Sequence, residues 1–168
     1  MQRIFSIIFT VSIFTVFIIA GTGCGSGPPK PAGLPELFPC KIKVIQDGVP
    51  LAGADVTLVP LAVTGTVWPV GGQTDASGIA VMRTYGEHIG APADHYKVVV
   101  SKVEVETIVP AAMVDGEYQP AQEKLYDLVV PALGFPPTTT LQIQVVKGTV
   151  DYSVDVGGAV RTLKRQPP

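Results

Sequence analysis

Apolar and polar positions alternate with period two through most of the chain. Cys40-Lys41-Ile42-Lys43-Val44 alternates cleanly, and Asp47-Gly48 supplies the positive φ of a tight turn, so a hairpin into a second strand at residues 54–60 is predicted. In that strand Ala54, Val56 and Leu58 share one face while Asp55 and Thr57 share the other. Residues 65–70 form a short β-prone run whose Pro69 cannot donate to a ladder, which suggests a sheet edge. The turn Thr74-Asp75-Ala76-Ser77-Gly78 launches a strand over 79–85. Residues 94–102 are the most β-prone of all and predict a central strand. Residues 141–145 and 150–156 flank Lys147-Gly148 as a second hairpin, and 157–163 can add a last short strand.

About seven short strands with frequent turns predict an all-β fold, an antiparallel seven-stranded sandwich whose two half-apolar sheets bury their inner faces together. Residues 103–138 interrupt the pattern with prolines, acids and scattered apolar residues, and are expected to be a long surface loop. Residues 164–168 are a tail.

The N-terminus has a different pattern. After Met1-Gln2-Arg3 come seventeen uncharged residues, 4–20, and then Gly21-Thr22-Gly23-Cys24. A short positive start, an apolar run and small residues before a cut site form a secretory signal. The run sits at the lower end of the ~17–25 residues that span a bilayer, so an uncleaved anchor is the alternative on length. Gly21-Thr22-Gly23-Cys24 resembles a bacterial lipobox, which implies removal of residues 1–23 and lipidation of Cys24. Residues 24–39, rich in glycine and proline, then read as a polyproline-like tether between membrane and domain.

Composition narrows the class further. Among the 168 residues, charged residues are 15%, against a typical ~25%, and 18 glycines and 16 prolines give a turn-rich balance. A formal net charge of −2 with mixed signs offers no basic stripe for phosphates, so nucleic acid is not an expected partner. Two cysteines, Cys24 and Cys40, make no disulfide framework or zinc spacing, and Cys40 is expected to be a small buried hydrophobe.

Three segments carry a resemblance: residues 47–58 with Asp47-Gly48 and Gly53-Ala54, then Thr74-Asp75-Ala76-Ser77-Gly78, then Tyr96-Lys97-Val98-Val99-Val100. In that order they resemble the carboxypeptidase regulatory-like, or transthyretin-like (prealbumin-like), β-sandwich domain, particularly lipoproteins of the planctomycete type. The resemblance covers residues 40–102 and more loosely 140–156, and it implies an Ig-like sandwich domain over residues 40–163.

Candidate chemistry is sparse. Hydroxyisourate hydrolase, an enzyme of transthyretin-like fold, uses a His, Arg, His set and a C-terminal Tyr-Arg-Gly-Ser; this chain has only His88 and His95, and its terminus does not match. No paired ligands of a zinc peptidase occur. His88 is expected in a solvated loop and His95 at a strand start. Asp47, Asp75 and Asp94 are expected as turn residues in preference to calcium ligands. Trp68, with Tyr85 and Tyr96, could form an aromatic sugar platform or fill the core.

The resulting expectation is a non-catalytic lipoprotein of the bacterial cell envelope, exported and membrane-anchored through Cys24, which binds or scaffolds a protein or glycan without cofactor or metal. Trp68, Met113 and Tyr118 are its candidate binding residues, the last two within the 103–138 loop. A carbohydrate-binding module using exposed aromatics, and an unrecognised hydrolase, are the alternatives.

Overall fold

The computed structural model describes residues 29–63, 65–148 and 150–164. The fold is all-β. Ten strands come first: β1 (Leu37–Phe38), β2 (Cys40–Gln46), β3 (Val49–Pro50), β4 (Asp55–Pro60), β5 (Val70–Gln73), β6 (Ile79–Val81), β7 (Arg83–Thr84), β8 (His88–Ile89), β9 (Ala91–Pro92) and β10 (Asp94–Ser101). Four follow in quick succession: β11 (Val103–Val109), β12 (Ala112–Val114), β13 (Glu117–Gln119) and β14 (Gln122–Asp127). A 3-10 turn, Pro131–Gly134, precedes β15 (Gln142–Val145), β16 (Val150–Asp155) and β17 (Thr162–Leu163).

Two sheets make the body. One runs β15-β10-β4-β5-β7-β8 and is antiparallel; the other runs β16-β2-β3, with β6 also on β2. The alternation of β2 and β4 puts every second side chain inward, so Ile42 and Val44 from one sheet meet Val56, Leu58, Val98 and Val100 from the other in a single apolar cluster. β10 is central, as its β-branched run predicts, pairing with β4 and β15.

The predicted hairpins are rearranged. Asp47-Gly48 makes its tight turn with φ of 50° and 76°, but the ladder holds two residue pairs only, Ile45 with Pro50 and Gln46 with Val49. Pro50 has no N–H to continue it. The chain then crosses to the other sheet, and the crossing is pinned by Thr74, whose Oγ1 accepts from the Ala54 amide and donates to the Leu51 carbonyl, both at 2.7 Å.

Residues 79–85 are likewise not one strand. Met82 is fully buried and its amide donates to the Cys40 carbonyl, so the chain switches sheets there: β6 lies on β2 and β7 on β5. The run expected at 65–70 begins instead at Val70, because Gly71 and Gly72 allow close packing; a Cβ on Gly72 would sit 2.7 Å from the Val81 carbonyl oxygen.

The second hairpin is also absent. β15 pairs with β10 while β16 lies parallel to β2, from Val150 opposite Cys40 to Asp155 opposite Ile45. Lys147-Gly148 is therefore part of a corner between sheets. Ile143 and Val145 on one strand and Val154 and Val156 near the other reach the same core from the two facing sheets. The parallel pair departs from the wholly antiparallel expectation.

Residues 103–138 are corrected most. They are not a loop: β11 and β14 form a long antiparallel ribbon, capped by the β12-β13 hairpin. The short strand β17 extends it as a third strand on β14. The segment expected to be a tether is partly folded too. Leu37 and Phe38 pair with Pro92 and Ala91, and Phe38 packs on the core, so the end of the 24–39 segment lies against the domain. Gly90 admits it; its φ is +108° and a Cβ there would lie 2.7 Å from the Phe38 carbonyl oxygen.

Candidate functional site

Two places bring the sequence candidates together, the ribbon tip and a cavity beside Trp68. Cys24 lies outside the described residues.

At the tip, Asp115 and Gly116 take φ of 51° and 84°, the conformation of a two-residue hairpin turn. That turn sets Met113 directly opposite Tyr118, and both side chains are about two-thirds exposed, 66% and 68%. The two candidates thus form one cross-strand apolar pair pointing into solvent. The adjacent ribbon leaves Val105, Ile108, Val109 and Val114 exposed as well. The signal for the hairpin, Asp115-Gly116 between β-prone residues, is the same as at Asp47-Gly48.

At the base of the ribbon sits a residue that sequence reasoning missed. The Arg161 guanidinium donates to Glu104 at 3.1 Å and Glu106 at 2.7 Å, and lies 3.6 Å above the centre of the Tyr126 ring. Hydrogen bonding from Arg161 holds the Glu106 carboxyl below the usual carboxylate range, and the acids raise Arg161 in turn. Two of the acids in residues 103–138 are therefore paired with one cation 55 or more positions away in sequence. No local spacing announces that contact.

Trp68 is neither a solvent-exposed platform nor part of the central cluster. It is half-buried, with Tyr85 edge-on at 5.6 Å and 70°, and the tether's Gly33 close to its ring. Tyr96 does not join an exposed platform: it is buried in the core, its hydroxyl donates to the Pro92 carbonyl, and burial pushes its pKa up to about 12. Trp68 and Tyr96 nevertheless share one wall of a cavity, together with Phe38.

The other candidates are spent on structure. His88 is buried on β8 and not in a solvated loop, because β8 pairs with β7 and turns that side chain inward; His95 is exposed on β10. Asp75 accepts from the Ser77 and Ile79 amides, Asp47 from the Ala159 amide and Asp94 from its neighbour His95. Among the described residues no group of three or more His, Cys, Asp or Glu side chains converges on a metal position. Cys40 is buried, and desolvation, with Asp151 adding to it, pushes its thiol up to about 11, so it stays protonated and unreactive at neutral pH.

The fold is thus an all-β body of two sheets that carries an outward apolar ribbon and a side cavity. In comparisons with known proteins, no family model, no curated protein and no solved structure matches this chain.

Proposed function

We propose that this chain is a non-catalytic binding module of the bacterial cell envelope, exported, cleaved after residue 23, lipidated on Cys24 and thereby held on a membrane. In this proposal residues 40–163 are a sandwich domain of carboxypeptidase regulatory-like or transthyretin-like kind, and its partner is a protein that docks on the ribbon. The observation that carries the binding role is the Met113–Tyr118 pair, two large apolar side chains displayed at the ribbon tip where the core gains nothing from them. The charge-free run before Gly21-Thr22-Gly23-Cys24 supports the anchor.

The test uses the full chain in its native membranes with a photo-crosslinking phenylalanine analogue at position 118. A discrete adduct is expected, and it should disappear when a binder-competing excess of the unlabelled chain is added. Replacing residues 107–121 by a short Gly-Ser linker should preserve the body, since β17 and Arg161 hold the ribbon base outside that span. Partner recovery should then fall. Equal recovery by the shortened chain overturns the ribbon as the site, and an intact Met1 in the membrane fraction by mass spectrometry overturns the anchor.

A further inference from the structure

Beside the body, away from the ribbon, a cavity of about 370 Å³ opens between the docked segment at Pro35–Phe38, residues 60–63 and 65–68, and the start of β10. It is within the ~300–1,000 Å³ usual for small-molecule sites. Its apolar lining includes Phe38, Trp68 and Tyr96, and its rim includes two acidic residues, the exposed Glu36 and the half-buried Asp94. Among the described residues no lysine or arginine lines it. Neither carboxylate belongs to an ion pair among the described residues. Lys30, the nearest cation in the tether, lines an adjoining hollow that shares Glu36 and does not line this one.

Each feature selects in the same direction. Aromatic rings present negative faces that attract cations, and a half-enclosed site strengthens the attraction between carboxylate and cation by excluding water. Asp94 uses one oxygen on the His95 amide, which orients its carboxylate and leaves the second oxygen unspent. An anion would meet two like charges, and a purely apolar molecule would leave both carboxylates without a counter-charge.

We propose that this cavity binds a small organic cation, an ammonium or guanidinium group on an apolar stem. The stem lies against Phe38 and Trp68 and the charge sits between Glu36 and Asp94. One wall of the site comes from the tether, so the site exists only while β1 is paired with β9. This inference does not depend on the ribbon or on the envelope placement.

Trp68 is the single tryptophan of the chain, so its fluorescence reports on this cavity alone. The full chain in detergent micelles is titrated with n-butylammonium and with agmatine, against n-butanol, butyrate and maltotriose as neutral, anionic and sugar counterparts. A saturable change is expected with one or both cations and none with the counterparts. Glu36→Gln and Asp94→Asn should each weaken binding about tenfold, the scale of one charge-assisted contact. Far-UV circular dichroism checks that both variants remain folded. Binding unaltered in the double variant, or an equal response to n-butanol or butyrate, overturns the proposal. Saturation by maltotriose alone overturns it in favour of a sugar site.

Discussion

The body and the ribbon are built from the same alternating strands, yet they use the alternation oppositely. β2 and β10 bury every second residue against the facing sheet, whereas β11, β12 and β13 have no buried residue at all. In the body the apolar face has a second sheet to meet; in the ribbon Val103 and Val105 face solvent, and the backbone ladder with the Arg161 contacts holds the two strands. Period two thus specifies a strand, and only a facing layer converts it into core. A ribbon kept without that layer is free to spend its side chains on a partner.

The contrast is broken most severely by cutting the body. Ile42→Ala, at a fully buried position, should lower unfolding free energy by ~2–5 kcal/mol in urea titrations. Val105→Ala on the ribbon, about half exposed, should cost under ~0.5 kcal/mol. Comparable losses at both positions would show that the ribbon is packed against something in solution. Next comes Thr74→Val, which keeps shape but removes the hydroxyl serving Ala54 and Leu51; leaving these buried groups unpaired should cost ~1–3 kcal/mol.

A smaller, local effect is expected from Gly90→Ala. The added methyl would collide with the Phe38 carbonyl, so β1 should leave β9 while the body stays folded. Trp68 emission should move to longer wavelength with little change in the thermal midpoint; an unshifted spectrum would count against the docked tether. Smallest of all is the acid response of the ribbon base. Because Glu106 titrates below its usual value in the folded chain, its contact with Arg161 is fully present above the ordinary glutamate range near ~4.3 and is lost as pH falls through the lowered value. The Arg161 side-chain protons, shifted by the Tyr126 ring, should therefore hold their NMR positions down to that range and relax toward free-arginine values below it. Glu106→Gln should relax them partly even at neutral pH.

The alternating runs at 40–44, 54–58 and 94–101 made the β class and much of the core legible, because burial on one face leaves its record residue by residue. Partner choice left no such record: nothing in residues 150–155 distinguishes pairing with Gln142–Val145 from pairing with Cys40–Gln46, and the decision rests on which sheet lacks a neighbour. At residues 103–138, Pro110, Pro120 and the acids suggest a loop only while Asp115-Gly116 is ignored and Arg161 is out of sight. Trp68, Met113 and Tyr118 stand out by residue type, but the company each keeps is set by tertiary structure. The tether residues Glu36 and Phe38 that complete the cavity lie in a stretch whose prolines argue for a spacer.

The parallel pairing of β2 with β16 also governs how the domain bears load. A pull applied ahead of Cys40 and resisted beyond Asp155 draws the two strands from opposite ends of their shared ladder. The six residue pairs from Val150–Cys40 to Asp155–Ile45 are then sheared together and not unzipped in succession. Tension along the chain would strip the short β1–β9 contact first and then meet this clamp, so the body would stay closed at forces that had already straightened the segment leading into it.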